Sequence, residues 1–166
     1  MEYIKNLKEN EFNEMVGEVY CSILGKYIKI EIEEDVPQKY IEQQVQYLNS
    51  IDEKILMEIC IYSTKFCKTE MKEYPEKEYV RGLYDTVSAK DIMNYMDIRK
   101  LRIDMYEDED DKEIRALNLS GSCEWDKENG IQWLIKDDEI TYVGRWDDLN
   151  IWYSDVSDPI CNYVIR

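Results

Sequence analysis

The sequence predicts an α+β domain: an N-terminal β-hairpin, a helical layer and a C-terminal antiparallel β-meander of about four strands. Strict two-residue spacing in Ile28, Ile30 and Ile32 puts those residues on one strand face, and it recurs in Leu117, Leu119, Gly121, Cys123 and Trp125. Helical spacing takes over between the two groups. Ile41, Val45 and Leu48 form one apolar stripe, and Ile51, Ile55, Leu56, Ile59, Tyr62, Phe66 and Cys67 form a second. Short polar connections separate the late strands, which is the pattern of hairpins. At 166 residues the chain suits a single domain over 1–166, large enough to bury about 68–70% of its unfolded surface.

Each element has its own reason. The first dozen residues are polar and mixed, and read as a loose lead-in or a short helix. From Glu18 a strand begins, with Val19, Cys21 and Ile23 on one face, and Gly25-Lys26 turns into the strand of the three isoleucines. Lys29, Glu31 and Glu33 are the wet face of that strand. Pro37 suits the first turn of a helix over 38–49. Ser50 and Glu53 match a capping box for a second helix, reaching about Lys72. Residues 73–81 are charged, contain Pro75 and read as a loop. Ser88 and Asp91 repeat the capping signature and open a short helix through Met96. Leu101, Ile103 and Met105 alternate as a strand, the acidic run 107–113 turns the chain, and a strand spans 115–125. Ile131, Trp133 and Ile135 follow, then Ile140, Tyr142 and Gly144 after a turn at 136–139. The chain shows no solenoid period.

Composition excludes more than it identifies. The 37 acidic residues outnumber 21 basic ones, for a formal charge of −16. Phosphate backbones and anionic lipid are repelled by such a surface, so neither direct nucleic-acid binding nor membrane docking is expected. The charge either solubilises the chain or recognises a basic partner, since complementary charge speeds encounter and selects partners. No apolar run approaches the roughly 18 residues that span a bilayer, and Met1-Glu-Tyr-Ile-Lys-Asn is no secretory signal. A cytoplasmic location is expected. Five cysteines without C-x-x-C spacing read as small core residues in a reducing compartment. Histidine is absent, which removes Ser-His-Asp and Cys-His catalysis and His-containing zinc sites. No phosphate loop and no G-x-S-x-G elbow is present, and no cofactor is implied.

Four groups of residues invite a functional reading. The acidic run fails as a calcium loop, because counting from Asp108 the sixth position is Glu113 where an EF-hand needs glycine. Glu124, Asp126 and Glu128 beside Trp125 have the composition of a glycosidase site. Carboxylates crowded in one turn are expected to stay wet, however, and turn formation accounts for Asp126, Asn129 and Gly130. No catalytic or metal residues are assigned. Trp125 and Trp133 are in phase with apolar faces and belong to the core. Trp146, Asp147, Asp148 and Trp152 mix aromatics with acids as protein interfaces do, and are the expected partner-binding residues. Glu107, Asp108, Glu109, Asp110 and Asp111 form a second expected patch.

The stretch Cys123-Glu-Trp-Asp-Lys-Glu-Asn-Gly-Ile-Gln-Trp133, followed by Ile140-Thr-Tyr-Val-Gly144, resembles an uncharacterised bacterial domain family. That family's C-terminal hairpin reads W-D-x-E-x-G, an apolar strand, a short polar turn and a closing V-G. The similar order of elements extends over most of residues 15–146. Where the family has histidine before the glycine, this chain has Asn129, so a turn role survives and an imidazole role does not. Small acidic domains of this type resemble immunity proteins of bacterial polymorphic toxin systems. The resemblance implies an acidic binding protein that neutralises a basic toxin domain, such as a nuclease, by occlusion. The alternative is a carboxylate-dependent enzyme or carbohydrate-binding module for a sugar-like ligand, using Glu124 or Glu128 and a tryptophan platform. A third reading is a homodimer that pairs through an exposed strand edge.

Overall fold

In the computed structural model, which describes residues 2–86 and 88–166, seven strands join one sheet in chain order. They are β1 (Ile4–Glu9), β2 (Met15–Cys21), β3 (Lys26–Ile32), β4 (Met96–Ile103), β5 (Ala116–Cys123), β6 (Ile131–Lys136) and β7 (Glu139–Arg145). Neighbours are antiparallel except β3 and β4. That parallel step needs a long crossover, which α1 (Gln38–Leu48) and α2 (Glu53–Glu73) supply. The expected hairpin, helical layer and four-stranded C-terminal meander are all present, fused edge to edge.

Three local expectations are corrected. The polar start is β1, not a lead-in or a helix. A bulge between Lys5 and Lys8, with Asn6 at φ 57°, puts the half-buried Ile4 and Leu7 three residues apart and erases the two-residue period. The cap of α2 is Asp52, not Ser50. Its carboxylate accepts from the amides of Lys54 and Ile55, both at 3.0 Å, while Ser50 Oγ donates back to the Tyr47 carbonyl at the end of α1. Met105 lies just beyond β4, which ends at Ile103. The Ser88–Asp91 capping box does form, at the 3-10 helix Ala89–Asn94.

The core lies between the two helices and one face of the sheet. Trp133 is buried there, its Nε1 donating to Ser63 Oγ of α2 at 2.9 Å. Phe66 of α2 meets Trp125 edge-on at 5.9 Å and stacks on Tyr163 at 4.6 Å. Four cysteines are buried, while Cys161 is exposed, contrary to the expectation of five core cysteines.

The opposite face of β5–β7 is covered by the chain's own C-terminal segment. Ala116, Leu134, Tyr142 and Ile151 form a second apolar cluster there. A buried polar ladder pins the segment down. Asn118 Nδ2 donates to Asp104 at 2.9 Å, Gln132 Nε2 donates to Asn118 at 2.9 Å, and both amides reach the Leu149 carbonyl. The segment then wraps the outer edge of β7. Tyr163 N donates to the Val143 carbonyl at 2.8 Å, and Asn162 bonds the backbone of Thr141 and Val143. One sheet edge is thus covered, and the bulge breaks the regularity of the other. No helix among the described residues is long and apolar enough to cross a membrane.

Candidate functional site

The strand register brings four connections to one end of the sheet. Met15 pairs with Ile32, Ile32 with Ile103, Ala116 with Lys136, and Lys136 with Glu139. The loops at residues 10–14, 33–35, 107–113 and 137–139 therefore share that end. Together they carry fourteen acidic residues and one lysine, so more than a third of the chain's acids lie in eighteen residues at one end. The row spans five strand spacings, about 24 Å. The β6–β7 turn is a two-residue hairpin with both central aspartates at positive φ, Asp137 at 46° and Asp138 at 68°. Arg115 braces it, 3.2 Å from Asp137 and 3.0 Å from Asp138. In the 107–113 loop, Asp110 N donates to Asp108, and Lys112 pairs with Glu109 at 2.7 Å. Glu107, Asp108, Glu109 and Asp110 are exposed and Asp111 is half-buried. Phe12 stands 71% exposed between Glu11 and Glu14 at the same end.

The residues expected to form one partner surface are separated by the fold. Trp146 is 40% exposed, and its amide donates to the Gly130 carbonyl at the far end of the sheet. Asp147 and Asp148 are exposed, but the Asp147 amide points to Gln132 and the Asp148 carboxylate pairs with Arg102 at 2.8 Å. Trp152 is half-buried at the acidic end. Its Nε1 donates to the Asp104 carbonyl at 3.2 Å, and its ring lies 6.3 Å from that of Tyr40, with Lys136 over it at 4.9 Å. Trp152 is thus a packing residue. The structure brings Glu107, Asp108, Glu109, Asp110 and Asp111 together with acids of three other loops, and it does not join them to Trp146. Glu11, Glu14, Glu33, Glu34, Asp35, Glu113, Asp137, Asp138, Glu139 and Phe12 were missed because each loop alone reads as an ordinary polar turn.

A second feature lies at the opposite end. The turn after β5, the loop after α2 and Arg145 enclose a cavity of about 480 Å³. Asp126 is buried in its wall, which corrects the expectation that the turn carboxylates stay wet. Its Oδ1 accepts from Asn129 Nδ2 at 2.8 Å, and its Oδ2 accepts from Arg145 Nε at 2.7 Å. Asn129 thus has the expected turn role. Glu70 of α2 is also buried, 3.4 Å from Arg145 Nη2 and 3.6 Å from Lys77 Nζ. Burial raises its carboxyl above the ordinary range, and Asp126 adds to this against the pull of Lys77 and Arg145. Glu124 is paired with Lys127 at 2.9 Å and Glu128 is exposed.

Burial pushes the thiols of Cys60 and Cys67 up to about 11 and that of Cys123 to about 12, so these sulfurs are protonated at neutral pH. One arginine, Arg145, pairs with both buried carboxylates, Asp126 at 2.7 Å and Glu70 at 3.4 Å. Among the described residues no group of three or more cysteine, aspartate or glutamate side chains is arranged to hold a metal ion. The acidic end, by contrast, is a surface whose charge is mostly unanswered by the chain itself.

No curated protein and no solved structure matches the chain. The sequence model of one domain family matches residues 3–151, and the protein belongs to that family, Domain of unknown function (DUF6985).

Proposed function

We propose that the protein is a non-enzymatic cytoplasmic binding protein of the immunity type, which neutralises a basic toxin domain by covering it with the acidic end of its sheet. The carrying observation is the convergence of four acidic connections at one end. Carboxylates there match the lysines and arginines with which a nuclease holds nucleic acid, and their field speeds encounter. Phe12 supplies the apolar anchor that charge alone lacks, because binding energy concentrates in a few desolvated aromatics inside a polar rim. Asp104, Gln132 and Arg102 hold the 146–152 segment on the neighbouring sheet face, Arg102 through the carboxylate of Asp148.

Co-expression with the toxin-like effector encoded nearest in its genome tests the reading. The protein is expected to rescue growth and to bind the effector with affinity that falls as salt rises. Phe12→Ala and the double change Asp108→Lys with Asp110→Lys are each expected to weaken binding at least about tenfold without lowering the melting temperature by more than a few degrees. The reading fails if no neighbouring effector is bound, or if both variants bind like the parent. The carboxylate-enzyme reading has the turn cavity in its favour, but Arg145 holds both buried acids beside it.

A further inference from the structure

A groove runs along α1 on the side facing the 106–115 loop, and two nearly buried polar atoms in it have no partner. Its two halves, of about 310 and 370 Å³, share Gln43, Lys112 and Glu113 in their walls. Tyr40, 4% exposed, lines the first, and its hydroxyl has no hydrogen-bond partner among the described residues. Gln44, 2% exposed, lines the second. Its Oε1 accepts from the Ala116 amide at 2.5 Å, which fixes the side-chain amide and leaves Nε2 as a donor without an acceptor. Among the described residues, the side-chain atoms shut off from solvent without a hydrogen bond belong to Thr64, Glu70, Asp104, Trp125 and Asn150. The Tyr40 hydroxyl and Gln44 Nε2 are therefore still within reach of a ligand. Burial, with the nearby charges of Asp104 and Asp111, pushes the phenol above the ordinary tyrosine value, so this hydroxyl keeps its proton and can donate. Unmet donors this deep are costly and mark places where something else supplies the acceptor.

Shape and charge narrow the ligand. The groove follows α1 from Pro37 to Ser50, about 20 Å at helical rise, which is the length of about six extended residues. Arg115 in its wall is answered by Asp137 and Asp138, and Lys112 by Glu109. Lys39 and Glu113 are then the wall charges without an ion pair. The acidic 107–113 loop and the β6–β7 turn, whose Asp138 amide donates to Tyr47 Oη at 2.7 Å, flank the groove. An anionic acceptor is disfavoured beside these carboxylates. A peptide carbonyl is a neutral acceptor, and a basic side chain on the same segment answers Glu113. Tyr106, whose ring meets that of Tyr40 edge-on at 5.2 Å, supplies an apolar wall for the stem of that side chain. We propose that the groove takes an extended basic segment of the partner, with backbone carbonyls on Tyr40 Oη and Gln44 Nε2 and a lysine or arginine on Glu113. This rests on the acidic-end reading above and names the part of the partner that the site holds.

NMR titration of the ¹⁵N-labelled full chain at low ionic strength tests it. The probe is acetyl-Gly-Lys-Gly-Arg-Gly-Lys-amide, and the control is spermidine, which carries the same charge without carbonyls. The peptide is expected to bind at least about tenfold tighter than spermidine. Tyr40→Phe removes only an unpartnered hydroxyl, so its melting temperature is expected not to fall. It should weaken the peptide about threefold to tenfold and leave spermidine unchanged. Glu113→Gln, at an exposed carboxylate without an ion pair, is expected to weaken the peptide by a similar factor. The proposal is overturned if spermidine binds as tightly as the peptide, or if the two variants bind the peptide like the parent. Peptide binding that depends on Tyr40, with no effector neutralised, supports the groove and overturns only the toxin reading. Neutralisation without any peptide site overturns the groove alone.

Discussion

Gly130 closes the turn that shapes the cavity, and two constraints meet on it. Its φ is +76°, and a β-carbon there would lie 2.4 Å from the Gly121 carbonyl oxygen. Gly130→Ala is therefore expected to cost about 2–4 kcal/mol, read from urea denaturation. Glu70 poses a different problem, since its burial raises the carboxyl above the ordinary range. Between the ordinary and the raised value the native state keeps a proton that the unfolded chain has released. The group's contribution is thus most favourable below the ordinary carboxylate range and declines as pH rises through the native value. Glu70→Gln is expected to flatten the fall in melting temperature from pH 4.5 upward, even if the lost pairing with Arg145 lowers the whole curve. An unchanged slope would remove Glu70 as its cause. Such details were half legible in advance: Asn129 and Gly130 read as turn residues, whereas the burial of Asp126 depended on Arg145, nineteen positions away.

The C-terminal segment protects the last strand of the sheet. Asn162 donates from Nδ2 to the Thr141 and Val156 carbonyls, both at 2.8 Å, and accepts at Oδ1 from Val143 N at 3.3 Å and Val164 N at 3.0 Å. One side chain thus meets the hydrogen-bonding needs of an edge strand and of the segment lying over it. Asn162→Ala is expected to destabilise the fold by about 2–4 kcal/mol and to free the β7 edge for pairing with another copy. Light scattering behind size exclusion should show a concentration-dependent larger species in the variant; a variant that stays at the parent's mass at every concentration counts against the edge-cap role. β1 is the contrasting edge. Its bulge hid it from any periodic reading, because the bulge shifts side chains off the two-residue alternation by which strands are recognised.

Across the whole molecule, a net charge of −16, with fourteen of the 37 acids at one end, makes self-repulsion a cost of folding. Added sodium chloride is expected to raise the melting temperature by screening it, most steeply at low ionic strength where the Debye length is longest. The Asp108→Lys, Asp110→Lys variant should be more stable than the parent at low salt and should show a weaker salt response. Equal salt responses in the two proteins would mean that the acidic end contributes nothing to the repulsion. The fold class was legible because each element buries one face and so carries its own period: Ile28 to Ile32 in β3, Ile55 to Phe66 in α2, Leu117 to Cys123 in β5.

By itself the sequence determined the main helices and every strand but β1, their order, the core placement of Trp125 and Trp133, and the sign of the surface charge. Those properties depend on near neighbours in the chain and on composition. Tertiary structure alone decided that four acidic loops share one end, that Trp146 and Trp152 lie at opposite ends, and that Glu70 and Asp126 meet at Arg145. Strand register sets the first, and the packing of α2 and of the C-terminal segment on the sheet sets the others; both join residues tens of positions apart, and no local period records which loop will face which.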